Sequence, residues 1–197
     1  MTPCLTEYKR GKVFTSEDLE SMSERFGRYL DVDGDGIPYR TYPGTHPTKG
    51  SFFTRGTSRD EYAVYTEDGS EYVKNMERLL HKWETAKGYV PAAEVVLAQG
   101  GSSVGVLHFG TSRDATMEAI DYLREEGMEV DSCRIRAFPF TQEIEDFIAS
   151  HQTVFIVEQN RDAQMRSLLV NDCEIDPKRL IPVLNYDGTP VTAKFIQ

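Results

Sequence analysis

Cysteine is scarce in this sequence: Cys4, Cys133 and Cys173 stand far apart and form no C-x-x-C pair. That excludes a disulfide framework, argues against zinc or iron–sulfur ligation, and suits a reducing compartment. Long apolar runs are missing too. No stretch approaches the roughly 18 to 20 residues needed to span a bilayer, and the first 30 residues carry charges where a signal peptide needs its apolar centre. Basic charge is short as well. The 22 Lys and Arg against 32 Asp and Glu leave a formal charge of −10, which repels phosphate backbones and anionic lipid surfaces. The chain reads as cytoplasmic, with neither nucleic acid nor membrane as a partner. It has no G-x-S-x-G elbow, no G-x-G-x-x-G after a strand and no nucleophile with a base beside it, so no catalytic residue is assigned.

What is present is the pattern of an ordinary folded protein. With 39% hydrophobic and 27% charged residues over 197 positions, disorder is not the expectation and one domain plus something more is. Val154 to Val157 is a short, wholly apolar run, the signature of a strand buried on both faces. The polar turn Glu158 to Asp162 follows, with Asn160 or Asp162 able to cap a helix that carries Met165, Leu168 and Leu169 on one side. The same strand-then-helix alternation recurs nearby. A strand at 104–109 precedes a helix at 115–126 ended by Gly127. A strand at 130–138 is stopped by Pro139, and Thr141 opens a short helix with Ile144, Phe147 and Ile148 inward; a fourth strand falls at 180–184. The fold class is therefore α/β: a small parallel sheet with helices on both faces, joined by right-handed crossovers.

The front of the chain is different. Residues 1–15 are polar and turn-like. Ser16 is placed to cap a helix with Leu19, Met22, Phe26, Tyr29 and Leu30 at helical spacing, and from Ser70 a second amphipathic helix presents Tyr72, Met76, Leu79, Leu80 and Trp83. Between them residues 31–70 are dense in Gly, Pro, Asp, Thr and Tyr, a loop longer than compact domains ordinarily hold. The expected division is 1–92, a helix, long loop and connector helix, and 93–197, the α/β domain.

Three groups carry candidate chemistry. Asp31, Asp33 and Asp35 begin like a calcium loop, but the twelfth position is Tyr42 rather than a bidentate Glu and Pro38 blocks the following helix, so a local turn is the stronger reading. Glu158, Asn160 and Asp162 stand just past the carboxyl end of a buried strand, where open α/β sheets bind ligands. Arg40, Lys49, Arg55 and Arg59 form a cationic group in the long loop, suited to an anionic substrate or a partner's carboxylate.

The segments DVDGDGIPYRTYPGTHP, FFTRGTSRDEY, YVKNMERLLHKWETA, VEQNRDAQMRSLL and YDGTPVTA together resemble the carboxyl-terminal part of the alpha subunit of 2-oxoacid:ferredoxin oxidoreductases, most nearly the 2-oxoglutarate type. The resemblance implies that residues 1–92 are the tail of an otherwise absent pyrimidine-binding domain and that 93–197 is like the transketolase carboxyl-terminal domain. It further implies an assembled enzyme that oxidatively decarboxylates a 2-oxoacid to an acyl-CoA with thiamine diphosphate, magnesium and an iron–sulfur cluster. None of these groups, nor CoA, is expected on this chain alone, which lacks the YPITP-type motif and cluster cysteines. The partners implied are the remaining alpha-subunit domains, the beta subunit and, indirectly, ferredoxin. Arg55, Thr57 and Asp60 lie in a stretch resembling RGTGHDE, which places them near the substrate in the assembled enzyme. Ser58-Arg59 replaces the usual Gly-His. The alternatives are an independent anion- or calcium-binding module and a purely structural dimerisation domain.

Overall fold

A computed structural model describes residues 10–197 of the chain; Cys4 and most of the polar start lie outside the described residues. The chain divides into two compact units, Met1–Ala86 and Lys87–Gln197. No helix among the described residues is long and apolar enough to cross a membrane.

The second unit is an α/β sandwich. Its sheet contains β1 (Glu94–Val96), β2 (Val104–Phe109), β3 (Asp131–Ile135), β4 (Thr153–Glu158) and β5 (Leu180–Leu184) in the order β1-β3-β2-β4-β5. β2 to β5 pair in parallel, as alternating strands and helices predict, whereas β1 runs antiparallel to β3, with Val95 opposite Cys133. That strand is a correction to the all-parallel expectation. Three residues on an exposed edge carry too little pattern to be read as a strand.

Strand alternation sorts the side chains onto two faces. Leu107, Cys133, Ile135, Val154, Ile156 and Leu180 meet α4 (Gln142–Ser150) and α5 (Gln164–Asp172) on one face. Val104, Val106, Phe155, Val157 and Val183 meet α3 (Arg113–Glu125) and the short terminal α6 (Ala193–Ile196) on the other. Mid-strand Gly105 has a packing reason: a Cβ there would press on the Phe147 ring of α4, at 2.7 Å. Helix α3 begins two residues before the expected Ala115, after a 3-10 turn at Gly110–Ser112, and its end is closed by Gly127 at φ +83° with Met128 N–H donating to Leu123 O. The third strand is shorter than 130–138, ending at Ile135.

A buried Asp–His pair ties β3 to the end of α4. Asp131 accepts the backbone N–H groups of Ala98 (2.7 Å) and Ser102 (3.2 Å) and the Nε2–H of His151 (3.0 Å), while His151 Nδ1 donates to Phe147 O at 2.6 Å. Both residues are buried. Burial alone would raise the Asp131 carboxyl, but the Ala98, His151 and Ser102 hydrogen bonds outweigh it and hold its pKa below the usual carboxylate value.

In the first unit, α1 is short, Ser16–Ser21, and its cap is Thr15 rather than Ser16. Thr15 Oγ1 accepts from Asp18 N–H while Asp18 reaches back to Thr15 N–H. The expected run to Leu30 is not helical. Met22 leaves the helix with φ −65° and ψ 125°, and Ser23 and Gly27 beyond it lower the helical drive. Leu19 and Phe26 still reach the core, through a bent chain. Helix α2, Gly69–Lys87, forms where expected, opened by Asp68 accepting from Ser70 N–H at 2.8 Å.

Its orientation is the notable feature. The polar side of α2 faces its own unit: Asn75 Nδ2 donates to Arg59 O (2.6 Å), Arg78 Nη1 to Gly36 O (3.0 Å) and Thr85 Oγ1 to Asp35 O (2.6 Å). Gly36, at φ +76°, lies so close that a Cβ would run into the Lys82 backbone. At 3.6 residues per turn, Tyr72, Val73, Met76, Leu79, Leu80 and Trp83 lie on the other side, and all six are 37% to 66% exposed. No residue of α2 is buried.

Because the Asp131 pKa is depressed by folding, its contribution is fully present above the unfolded value near 4 and is lost as pH falls through the lower folded value. Asp131→Ala should therefore remove about 3 to 5 kcal/mol at neutral pH and abolish protection of the Ala98 and Ser102 amides in hydrogen exchange. The stability difference between variant and parent should shrink as pH falls through the depressed folded value.

Candidate functional site

Asp31, Asp33 and Asp35 do converge, with one carboxylate oxygen from each within 4.8 Å of the others. Local bonds already engage them. Asp31 accepts from the N–H groups of Gly34 (3.0 Å), Asp35 (3.2 Å) and Gly36 (2.8 Å), and Asp35 from Ile37 N–H (2.8 Å), the backbone turn that Asp side chains favour. The cation at the centre is Lys12, whose ammonium lies 2.5 Å from Asp33 and 2.6 Å from Asp35. Burial would lower its pKa, but hydrogen bonds and charge from the two aspartates outweigh that and push it up to about 12. A calcium ion here would have to displace this ammonium.

Glu158, Asn160 and Asp162 part company. The Glu158 carboxylate is fully buried and accepts from Met165 N–H, Arg166 N–H (both 2.9 Å) and Asn160 Nδ2 (2.7 Å). Asn160 Oδ1 takes the N–H groups of Asp162 (3.1 Å) and Gln164 (3.2 Å), while Asp162 itself is exposed beside Arg161. The helix is thus capped by Glu158 with Asn160, not by Asp162. A negative group stands at the positive end of α5, where an anionic ligand would otherwise find free N–H donors. Across the crevice between the β2 and β4 loops, Gln159 Nε2 donates to Thr111 Oγ1 at 2.8 Å.

The RGTSRDE stretch is a tight loop in the first unit. Asp60 Oδ1 accepts from Tyr62 and Val64 N–H, both at 2.9 Å, so its carboxylate holds the turn; Arg55 and Thr57 are exposed. The cationic group read from the sequence is dispersed. Arg40 bonds the carbonyl of Arg10, Lys49 donates to Glu20 O at 2.9 Å, and Arg55 stands in solvent. Arg59 instead gathers with two arginines not singled out in the sequence. The guanidinium carbons of Arg28, Arg59 and Arg78 lie 5.4, 5.6 and 6.0 Å from the Tyr29 ring centre. The one sequence signal for this was a lone Arg78 on the polar side of an amphipathic helix.

The groups implied by the resemblance do not fit these residues. Cys133 is buried in the sheet core and Cys173 half-buried, with burial the main cause pushing each thiol up to about 12, so neither offers a ready thiolate for a cluster. The Gly34-Asp35-Gly36 turn is packed against α2 with Asp35 paired to Lys12. His108 is buried, and burial with nearby Arg134 and Arg113 brings its pKa down to about 4, so it is neutral packing.

No family model matches the sequence. Among curated proteins, the chain is 28% identical over 195 residues to the alpha subunit of 2-oxoacid:ferredoxin oxidoreductase 2 from Aeropyrum pernix, an alignment covering 97% of this chain and 28% of that protein. It is 26% identical over 140 residues to the corresponding alpha subunit from Saccharolobus solfataricus, covering 69% and 22%. The chain thus spans about a quarter of the length of these relatives. Among solved structures, 2-oxoglutarate:ferredoxin oxidoreductase from Magnetococcus marinus, determined with 2-oxoglutarate, coenzyme A and succinyl-CoA bound, matches 89% of this chain and 30% of its own with a TM-score of 0.76 at 20% identity. That likeness is one of fold.

Glu158→Ala would strand two helix N–H groups and the Asn160 amide. It should cost about 3 to 5 kcal/mol and speed hydrogen exchange at Met165 and Arg166, whereas Glu158→Gln, which keeps an acceptor oxygen, should recover part of both. The resemblance read from the motifs is met in these relatives: over nearly its whole length the chain is similar to part of the alpha subunit of a 2-oxoacid:ferredoxin oxidoreductase.

Proposed function

We propose that this chain is an interface-forming part of the alpha subunit of a thiamine-diphosphate-dependent 2-oxoacid:ferredoxin oxidoreductase of the 2-oxoglutarate type. The assembled enzyme converts a 2-oxoacid and CoA to an acyl-CoA and passes electrons to ferredoxin in the cytoplasm. The chain alone is inactive. Thiamine diphosphate, magnesium, the iron–sulfur cluster and CoA are held by the remaining alpha-subunit domains and the beta subunit, and Arg55, Thr57 and Asp60 face the substrate side after assembly.

The observation that carries this reading is the outward apolar stripe of α2. A helix that bonds its own unit through Asn75, Arg78 and Thr85 and exposes Tyr72, Met76, Leu79, Leu80 and Trp83 is built to be covered by another surface. Half-burial of these five side chains is worth on the order of 4 to 8 kcal/mol before the costs of association. The similarity across 97% of the chain to proteins named as alpha subunits supplies the partner class.

The test is co-production of the chain with the missing alpha-subunit domains and the beta subunit, assayed by 2-oxoglutarate- and CoA-dependent reduction of methyl viologen. The chain alone should give none, the assembly should turn over, and Leu80→Glu should abolish co-purification while leaving the circular dichroism of the chain unchanged. Turnover by the chain alone, or full co-purification of the Leu80→Glu variant, would overturn the proposal.

A further inference from the structure

The arginines around Tyr29 border a cleft of about 180 Å³ in the first unit, lined by Tyr29, Thr57, Arg59, Tyr72, Met76 and Arg78, among others. Its two sides differ in chemistry. On one, Arg59 donates from Nη1 to the Tyr29 hydroxyl at 3.4 Å and from Nη2 to Gly56 O at 2.6 Å, and Arg78 donates to Gly36 O. On the other stand Tyr72, Met76 and Leu79, the amino-terminal half of the exposed stripe of α2.

The cationic side is electrostatically incomplete. Among the described residues no carboxylate forms an ion pair with Arg28, Arg59 or Arg78. Asp31 acts on Arg78 from a distance, its oxygens engaged by three backbone N–H groups. The Nε–H groups of both Arg59 and Arg78 are buried without an acceptor, an arrangement that leaves strong donors unsatisfied. The pKa directions agree with the geometry. Burial lowers Arg78, with Arg28 adding to it; burial would raise the Tyr29 phenol, but hydrogen bonds from Arg59 and Thr54 and the charges of Arg59 and Arg28 hold it below its usual value. Three like charges held about one ring in a protein of net charge −10 are a place where an anion lowers the energy of the fold.

We propose that this cleft is a binding site for a short-chain carboxylate, its carboxyl group held by Arg59 and Arg78 and its apolar body lying on Tyr72, Met76 and Leu79. The volume matches that class. At roughly 30 Å³ per liquid water, 180 Å³ corresponds to about six waters, room for a carboxyl and two to four carbons and well below the roughly 300 Å³ at which pockets for larger cofactors begin. Arginine forks suit a planar carboxylate, and the apolar wall favours an anion with an apolar body over inorganic phosphate. The cleft shares Tyr72, Met76 and Leu79 with the stripe proposed above as an interface, so its test uses the chain alone, where failure to bind a carboxylate is distinguishable from failure to assemble.

Trp83, the single tryptophan of the sequence, lies one turn beyond Leu79 on the same stripe and serves as the reporter. Propionate, butyrate, inorganic phosphate and chloride are titrated at constant ionic strength while Trp83 fluorescence and the melting temperature are followed. Butyrate and propionate should saturate and raise the melting temperature, phosphate and chloride should not. Arg59→Gln and Arg78→Gln should each weaken butyrate by at least about tenfold, and Arg124→Gln, a surface change in the other unit, should leave it unaltered. Should either glutamine variant fail to fold, Arg59→Lys and Arg78→Lys keep the charge without the planar fork and should still weaken butyrate measurably. The proposal is overturned by the absence of saturation with both carboxylates, by equal binding in the arginine variants, or by phosphate binding as tightly as butyrate.

Discussion

The constraint on which the first unit depends is the inversion of α2. Its polar side is committed inward, where Asn75, Arg78 and Thr85 bond the backbone of Arg59, Gly36 and Asp35. These three bonds fix two loops with no regular structure of their own, one around the aspartates and one around Arg59. Gly36 makes the approach feasible because any side chain there would collide with the helix. Once the helix spends its polar side this way, its apolar stripe has to face outward, and the unit acquires a sticky surface that a freestanding domain would avoid. The inward polar contacts and the outward apolar stripe are therefore two consequences of one arrangement.

The second unit shows the opposite economy. Its sheet buries apolar side chains on both faces, and its two buried acidic side chains are matched: Glu158 against the start of α5, Asp131 against His151 and two backbone N–H groups. The carboxyl end of a parallel sheet is where α/β domains offer helix N-termini to ligands, yet here the protein's own carboxylate occupies that position at α5. The result is a domain with structural polish and no open catalytic constellation among its described residues.

How much of this was legible follows from the physics of each signal. Strand β4 declared itself because a strand buried on both faces must be apolar without interruption, as Val154 to Val157 are. The antiparallel strand at Glu94–Val96 did not, since an exposed edge imposes no pattern. The stripe of α2 was readable from spacing, but its direction was not, because periodicity gives the faces of a helix without saying which one points inward. The early end of α1 was hidden for a related reason: Leu19 and Phe26 are buried, but by a chain that bends between them. Glu158 was identified as a position, whereas its role as a cap depends on a helix beginning six residues later. The cluster at Tyr29 joins residues 28, 59 and 78 through tertiary packing, and its one local trace in the sequence is Arg78 on the polar side of α2.

The central claim is that the α2 stripe is an interface, and hydroxyl-radical footprinting reads it residue by residue. Tyr72, Met76 and Trp83 should label readily in the isolated chain and become protected in the co-produced assembly with the remaining alpha-subunit domains and the beta subunit, while Tyr186, exposed in the second unit, serves as the internal reference. Equal labelling of the three side chains with and without the partners would contradict the account.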